Sequence, residues 1–355
     1  MQKITYFFAG ANSGEGFRNL FPEIVDIEDT YDFILLKGGP GVGKNTFMRE
    51  VGKTMERAGT TVEYLCCSGD PDSLDGVVLP ELRCAIADAT APHVLEPQYP
   101  AAVDRYLDLG RFYDLAAAKA DAEEAKAHTR TYKAAYRRAY HCLRAARAVE
   151  LEAISLLRPS FDTQRLEKRM DGIIDRYFGK EHGKAGKTTR RFLGSITHKG
   201  FVWRFDSVDV LCDRVYEIED TWGLAGEALE KLYLASVERG LDVMICVAPE
   251  EPGRIEHLLI PGLDLAFVSS RTGMRYPGKA VRRIRADALI RRKKPKLQMR
   301  MIRELREEGI ANLRQAKEAH DRLEAVYNPY VDFDGVREMA ALESGRLLSY
   351  LQGIR

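Results

Sequence analysis

The chain lacks any long hydrophobic run. No apolar stretch in it approaches the roughly 18 residues that a membrane-spanning helix requires, so we expect no membrane partner. Residues 4–9 form only a short apolar cluster near the start, without a cleavage-site pattern, which favours a cytoplasmic protein over a secreted one. The formal net charge is +1 over 355 residues, so bulk charge indicates no particular partner.

Cysteine is scarce and is not arranged for chemistry. The six cysteines form no C-x-x-C pair and lie at positions 66, 67, 84, 142, 212 and 246. All but Cys142 and Cys212 lie in or beside apolar runs of the strand type. We therefore interpret them as buried thiols of a reducing compartment, in preference to metal ligands or disulfide partners.

Glycine and proline are absent from residues 111–158. This stretch is rich in Ala, Leu, Arg, Lys and Glu, which predicts one long helix or two helices joined without a strong break. Residues 297–327 are helical in pattern as well, and Asn328-Pro329 ends that pattern. Residues 179–191 are rich in Gly, Lys and Thr and are predicted to form an exposed linker.

One glycine-rich segment is the most informative feature of the sequence. Residues 38–46 read GGPGVGKNT and fit the pattern G-x-x-x-x-G-K-[ST] at every position except the last, which is Asn45. The apolar run 33–36 precedes the segment as a predicted strand, and apolar residues at helical spacing follow it. Strand, loop, lysine and helix therefore occur in the order that a phosphate-binding loop requires.

The composition of this segment has a chemical reason. Glycines allow a tight turn that brings several backbone N–H groups within reach of phosphate oxygens, and a helix N-terminus adds partial positive charge. Lys44 adds a full positive charge. The predicted nucleotide-binding residues are Gly38, Gly39, Gly41, Val42, Gly43, Lys44, Asn45 and Thr46.

The two halves of the chain repeat one order of elements. Residues 8–17 correspond to 192–201, 33–36 to 215–218, 62–66 to 243–247, 79–82 to 260–263, 84–87 to 265–268, 99–100 to 276–277, and 127–130 to 319–322. A colinear series of this kind indicates duplication of one α/β unit with a helical appendage, with parallel strand pairing expected from the strand–helix–strand spacing. The alternative is that the second half is an unrelated α/β domain.

The second half does not keep the chemistry. Its segment 219–227 places Ala225 or Gly226 where Lys44 stands, depending on a one-residue gap, and carries acids at Glu219, Asp220 and Glu227. Ser269 replaces Asp88, the acid that closes the strand 84–88. Like charges near phosphates are costly at a few ångströms, so we expect only the first half to bind a nucleotide.

At these residues the chain resembles the P-loop NTPase superfamily, and within it a bacterial family of ATPase-like proteins with two tandem P-loop lobes. The resemblance rests on residues 38–46, on 67–76 and on 88–93. It implies ATP or GTP as the nucleotide, with Mg²⁺. We further expect Lys44 to hold the terminal phosphates, Asn45 or Thr46 and Asp88 to serve the metal, and an arginine of the other lobe, Arg271 or Arg275, to reach across.

The expected fold is α/β, with two duplicated P-loop-like αβα lobes that have parallel sheets, each lobe followed by a long helical extension. The expected segments are 1–110 for the nucleotide-binding lobe, 111–180 for its extension, 181–295 for the degenerate lobe and 296–355 for the C-terminal extension. Relatives of this type usually carry Ser or Thr at the position of Asn45. That departure, together with the acidic second loop, puts hydrolysis and a two-nucleotide mechanism in question.

The expected activity is phosphoryl transfer to water or to an unknown acceptor, by an ATPase or a kinase-like phosphotransferase whose turnover Asn45 makes slow. Lys44, Asp88 and Asp70 are the candidate catalytic residues, and Asn45 and Asp88 the candidate metal ligands. Asp70, Asp72 and Asp75 follow a predicted strand, where turn and capping roles are equally open. His93 is interpreted as a loop histidine in preference to a phosphate contact.

Two other functions remain open. The first is a nucleotide-binding pseudoenzyme that acts as a switch or scaffold for a protein partner. The second is a nucleic-acid-associated protein, because residues 279–303 hold eleven Lys or Arg and one acid, Asp287. No aromatic residue is interleaved with those charges, so the segment lacks a base-stacking platform and a solvated helix face is the preferred interpretation.

Overall fold

The computed structural model describes residues 2–180, 184–271 and 274–354. The first half of the chain forms β1 (Ile4–Phe8), β2 (Gly10–Ser13), β3 (Gly16–Asn19), β4 (Asp32–Lys37), α1 (Lys44–Arg57), β5 (Val62–Cys66), β6 (Leu74–Leu79), β7 (Cys84–Asp88), β8 (Asp104–Asp108), α2 (Ala122–Leu157) and α3 (Thr163–Tyr177). The second half forms β9 (Thr188–Arg191), β10 (Gly194–Thr197), β11 (Gly200–Trp203), α4 (Phe205–Leu211), β12 (Arg214–Glu219), α5 (Gly226–Glu238), β13 (Val243–Ala248), β14 (Glu251–Ile260), β15 (Leu265–Ser270), β16 (Arg282–Arg285), α6 (Lys296–Tyr327) and α7 (Phe333–Ile354).

Each half contributes one six-stranded mixed sheet. The first sheet has the strand order β1-β5-β6-β7-β4-β8, and the second has the order β9-β13-β14-β15-β12-β16. Corresponding neighbours pair in the same direction in both sheets, and each half adds a small hairpin, β2–β3 or β10–β11. This element-by-element repetition is consistent with a duplicated α/β unit. We call the two sheets with their hairpins and helices α1 or α5 the first and second lobes.

The expectation of wholly parallel sheets was wrong. β6 runs antiparallel to both of its neighbours in the first sheet, and β14 does the same in the second. The reason is the length of the connections: residues 67–73 and 80–83 flank β6, whereas a parallel crossover needs a dozen residues or more. The predicted linker 179–191 was also partly wrong, because Thr188–Arg191 forms β9, while residues 181–183 lie outside the described residues.

The two lobes meet about an approximate two-fold relation. Phe8 and Phe192, which correspond in the repeat, exchange reciprocal backbone hydrogen bonds of 2.9 Å each. The hairpins reach across in the same reciprocal way: Gly14 N–H donates to Glu250 at 3.0 Å, and His198 Nδ1 lies 3.0 Å from Gly69 O. Each hairpin therefore packs on the connection that follows β5 or β13 of the other lobe.

The helical extensions are exchanged between the lobes. The long helices α2 and α6 pack antiparallel along each other, and the absence of a side chain at Gly309 permits close approach, because a Cβ there would lie 3.0 Å from Leu143. Beyond this pair, α7 packs on α1 of the first lobe, and α3 packs on α5 of the second. Each lobe is thus completed by a helix that follows the other half of the fold. No described helix is both long enough and apolar enough to cross a membrane.

A buried ionic cluster ties the long helices to the second lobe. Glu150 on α2 accepts from Arg147 at 2.9 Å and from Arg306 of α6 at 2.8 Å, and Arg147 continues to Glu251 of β14 at 3.2 Å. Burial disfavours the charged carboxylate, but the guanidinium groups outweigh it and lower the pKa of Glu150 to about 2. Glu150 therefore stabilises the fold in its ionised form.

Glu150→Gln should lower the free energy of unfolding at neutral pH by about 1.5–3 kcal/mol, because charge-assisted hydrogen bonds become neutral ones. The depressed pKa of Glu150 gives a contribution that is present above pH 4.5, the ordinary carboxyl value, and is lost as pH falls toward 2. Urea denaturation at several pH values should therefore show the two proteins converging in acid. Glu152→Gln, an exposed change on the same helix, is the control. A constant difference from pH 6 to pH 2.5 would contradict the assignment.

Candidate functional site

The glycine-rich loop joins the centre of the first sheet to a helix. Residues 38–43, here called the first loop, connect β4 to α1, which begins at Lys44. Gly41 and Gly43 adopt positive φ values of 74° and 94°, a backbone region that other residues enter at a cost. The helix therefore starts abruptly at the end of a tight turn, with its N-terminus directed at the loop.

Backbone donors of this loop are open. Within the described part of the chain, the N–H groups of Gly41, Gly43, Lys44, Asn45 and Thr46 have no hydrogen-bond acceptor, and no side chain caps the helix. Several free N–H groups at the positive end of a helix form a ready-made anion site. The first loop can accordingly accept phosphate or carboxylate oxygens without losing existing hydrogen bonds.

Lys44 and Asp88 are brought together beside the loop. The Lys44 Nζ atom donates to the loop carbonyls of Gly38 at 2.7 Å and Gly39 at 3.2 Å, and it lies 3.6 Å from Asp88 Oδ2. Asp88 is the last residue of β7, directly beside β4 in the sheet, and its other oxygen accepts from Thr90 N–H at 2.8 Å. The ammonium group is thus half-buried among carbonyl dipoles and one carboxylate, close to where a bound anion would lie.

Asn45 is engaged with its own surroundings. Its Oδ1 atom accepts from Leu74 N–H and from Arg49 Nε, both at 3.1 Å. An amide oxygen has two lone pairs, so both are in use, and the side chain ties the start of β6 to α1. Thr46, next along the helix, is exposed.

Asp70 contacts residues other than Lys44 and Asp88. Its carboxylate accepts from Ser73 Oγ at 2.9 Å and from Asp72 N–H at 3.3 Å, and Lys317 of α6 approaches it at 3.5 Å. These contacts give Asp70 a turn-forming role beneath the long helices. The sequence placed it at the right edge of the sheet but could not locate α6 above it.

A buried cluster that sequence reasoning did not assemble lies next to Lys44. Asp75 in β6, Asp88 in β7 and His93 in the following loop offer ligand atoms that all lie within 4.8 Å of one another. Burial of His93 opposes its protonation, but Asp75 and then Asp88 outweigh burial and raise the pKa of His93 above its ordinary value. A polar signal existed in the sequence: Asp75 interrupts an otherwise apolar run, 74–79. We call Asp75, Asp88 and His93 the acid–histidine cluster.

The C-terminal helices cover the outer side of the first loop. Tyr113 Oη donates to Pro40 O at 2.6 Å, and a Cβ at Gly41 would meet the side-chain amide of Asn328, at the end of α6. A Cβ at Gly43 would lie 3.3 Å from Val336 of α7. These contacts involve the Pro40 carbonyl and the Cα positions of Gly41 and Gly43, and they leave the open N–H groups of the loop unused.

The second lobe fills its equivalent loop with its own carboxylate. Residues 220–225, here called the second loop, join β12 to α5 with the same six-residue length as the first loop. The Asp220 carboxylate accepts from Leu224 N–H at 2.9 Å and Ala225 N–H at 2.8 Å. Because the two loops have equal lengths, Gly226 is the equivalent of Lys44, and no gap is needed in the alignment of the two halves. The strand registers of the two sheets likewise show that Ser269 is the equivalent of Asp88.

Arginines of the second lobe are engaged within that lobe. A Cβ at Gly223 or Gly226 would meet the Arg254 side chain, which therefore lies against the loop. Arg271 pairs with the buried Glu256 of its own lobe, and Arg275 lies 3.7 Å from Glu219. The expectation that Arg271 or Arg275 reaches the first loop is therefore not met, because both are engaged by acids of the second lobe.

Comparison with known proteins adds no assignment. No family model, no curated protein and no solved structure matches this chain.

Asp220→Ala should destabilise the second lobe by about 1–3 kcal/mol, because two buried N–H groups lose their acceptor. Free sulfate should then restore part of the loss, since the vacated donors can accept an anion. Thermal melting with and without sulfate measures both effects, and the sulfate-induced rise should exceed that of the wild type. Asp334→Ala, an exposed acid on α7, is the control. Equal sulfate responses in variant and wild type would contradict the idea that the Asp220 carboxylate occupies an anion position.

Proposed function

We propose that the first lobe binds one nucleoside triphosphate, ATP or GTP, through residues 38–46, and that the protein is a phosphoryl-transfer enzyme or NTPase of low turnover. One contrast carries the proposal. Two loops of equal length occupy equivalent places in the two lobes, and one is filled by the Asp220 carboxylate while the other has open donors and Lys44. A protein-supplied anion in the second loop supports an external anion as the partner of the first.

The proposed binding mode uses groups already in position. Phosphate oxygens would accept from the N–H groups of residues 43–46, and Lys44 would exchange the carbonyls of Gly38 and Gly39 for phosphate oxygens. Phosphoryl transfer needs positioning and charge stabilisation more than covalent catalysis, and a lysine with oriented N–H groups supplies both. Asp70 is not assigned a role in this binding mode, because its carboxylate accepts a hydrogen bond from Ser73 and forms an ion pair with Lys317.

Magnesium fits the site through carboxylates better than through Asn45. Mg²⁺ prefers oxygen ligands and would supply charge neutralisation of the phosphates when bound. Asp88 offers a carboxylate next to Lys44, whereas Asn45 Oδ1 would first have to release Leu74 N–H or Arg49. The chain's own contribution is therefore Asp88 as a metal-shell acid and Lys44 as the phosphate-holding cation.

A nucleotide-dependent switch without turnover is the second candidate. The contacts of Asn45 favour a switch. Its Oδ1 atom is already used by Leu74 N–H and Arg49, so it does not replace the Ser or Thr hydroxyl that ligates the metal in phosphate loops. In either case, Asn328 at the end of α6 and Val336 of α7 lie against the first loop. A nucleotide bound to this loop would act on α6 and α7 through these contacts.

The basic segment 279–303 gives weaker support to nucleic-acid binding. Its eleven basic side chains are exposed, and β16 within it is an edge strand of the second sheet. Arg283 pairs with Glu217 and Arg291 with Asp162, so part of the charge serves the fold. The solvated-face interpretation is retained.

Lys44→Ala should weaken MgATP or MgGTP binding by roughly 10-fold or more, since a charge-assisted contact is worth about 1.5–3 kcal/mol. Calorimetric titration should saturate at one nucleotide per chain in the wild type. Lys53→Ala, on the exposed side of the same helix, is the matched control and should bind normally. Saturation at two equivalent nucleotides, or unchanged affinity in folded Lys44→Ala, would remove the proposal.

Asn45→Ser should strengthen the Mg²⁺ dependence of nucleotide binding, because a hydroxyl at this position ligates Mg²⁺ in phosphate loops. The same change removes the acceptor of Leu74 N–H, so the melting temperature should fall. Asn45→Ala separates the two effects, since it loses the acceptor without supplying a ligand. Turnover, measured by phosphate release, should be slow in the wild type and should not fall in Asn45→Ser. Fast wild-type turnover that drops in Asn45→Ser would identify Asn45 as an adapted ligand instead.

A further inference from the structure

The acid–histidine cluster has the features of a cation site. Asp75, Asp88 and His93 are each more than nine-tenths buried, and their ligand atoms converge within 4.8 Å. They come from β6, β7 and the loop after β7, so the sheet fixes two of the three positions. Rigid placement of this kind keeps two carboxylates together in spite of their mutual repulsion.

The cluster contains buried polar atoms without hydrogen-bond partners in the described part of the chain. They are Asp75 Oδ2 and His93 Nδ1. His93 Nε2 lies 3.3 Å from Asp75 Oδ2, close enough for an ion pair but without hydrogen-bond geometry. Lys44 contacts Asp88 only at 3.6 Å and is committed to the loop carbonyls. Buried carboxylates without full compensation are costly, and a bound cation would remove that cost.

The second lobe provides an independent indication. The strand registers of the two sheets show that Glu256 is the equivalent of Asp75 and that Ser269 is the equivalent of Asp88. There the buried acid is paired by the guanidinium group of Arg271. The second lobe thus supplies its own cation to the equivalent acid, just as Asp220 supplies its own anion to the second loop.

We propose that Asp75, Asp88 and His93 bind one divalent transition-metal cation. Two carboxylate oxygens and one imidazole nitrogen suit Mn²⁺ or Zn²⁺, whereas Mg²⁺ and Ca²⁺ prefer oxygen ligands alone. The site adjoins the proposed nucleotide site through Asp88 but does not require a nucleotide. It adds Asp75 and His93 to the acid that the nucleotide proposal already uses.

The test is a titration of metal-free protein with Mn²⁺ in the absence of nucleotide, following free Mn²⁺ by electron paramagnetic resonance. We expect one site per chain, at least 10-fold weaker in Asp75→Asn and in His93→Gln. His320→Gln is the matched control, because His320, Asp321 and Glu324 form a second, more exposed group of potential ligands. Mg²⁺ at equal concentration should compete poorly. Absence of saturable binding below about 1 mM in the wild type, or unchanged binding in both variants, would overturn the proposal.

A wild-type measurement guards against variants that do not fold. In histidine-labelled protein, Mn²⁺ should broaden the nuclear magnetic resonance signals of His93 more strongly than those of His257, which is buried in the second lobe. Broadening of His257 alone, or of neither histidine, would count against the site. Lys44→Ala should keep Mn²⁺ binding while it loses nucleotide, and Asp75→Asn should show the reverse, so failure of either proposal is recognised separately. Loss of both ligands in both variants would argue for a single composite site and against the metal site as proposed.

Discussion

The reciprocal pairing of Phe8 with Phe192 is the contact on which the arrangement of the molecule depends. Two backbone hydrogen bonds join equivalent residues of the two lobes, so the approximate two-fold axis passes between them. From that relation it follows that each hairpin reaches the other lobe and that α2 and α6 run antiparallel between them. The exchange of α3 and α7 completes the same pattern, so neither lobe has a complete core of its own.

The lobes share a backbone but differ in how their charges are satisfied. In the second lobe, Asp220 occupies the loop donors and Arg271 pairs the buried Glu256. Within the residues that the structure describes, the first lobe leaves the corresponding donors without acceptors, and Asp75 Oδ2 and His93 Nδ1 of its acid–histidine cluster have no hydrogen-bond partner. One copy of the duplicated unit therefore satisfies these groups with its own residues, whereas the other leaves them unsatisfied within the described part of the chain, and both proposals rest on this difference.

Sequence patterns predicted those features of the fold that are determined by residues close together in the chain. The strand–loop–helix unit around Lys44, the long glycine-free helix and the colinear repeat all follow from nearby residues and spacing. The antiparallel direction of β6 could not be predicted in this way, because Asp75 and Gly76 interrupt the apolar pattern by which a strand is recognised. Partners distant in sequence, such as Arg271 with Glu256 or Asp70 with Lys317, depend on how the lobes and helices meet and have no local signal.

The position of α7 has a consequence for synthesis of the chain. Buried residues of α7, among them Val336, Ala340 and Leu347, share a core with α1 and the first sheet. Lobes of multidomain proteins commonly fold as they leave the ribosome, N-terminal part first. Here the first lobe leaves the ribosome before α7, yet it cannot close its core until α7 has been synthesised. The first loop therefore gains its contact with Val336 only once α7 has formed, and a chain that ends before α7 would expose the apolar residues of α1 that α7 covers.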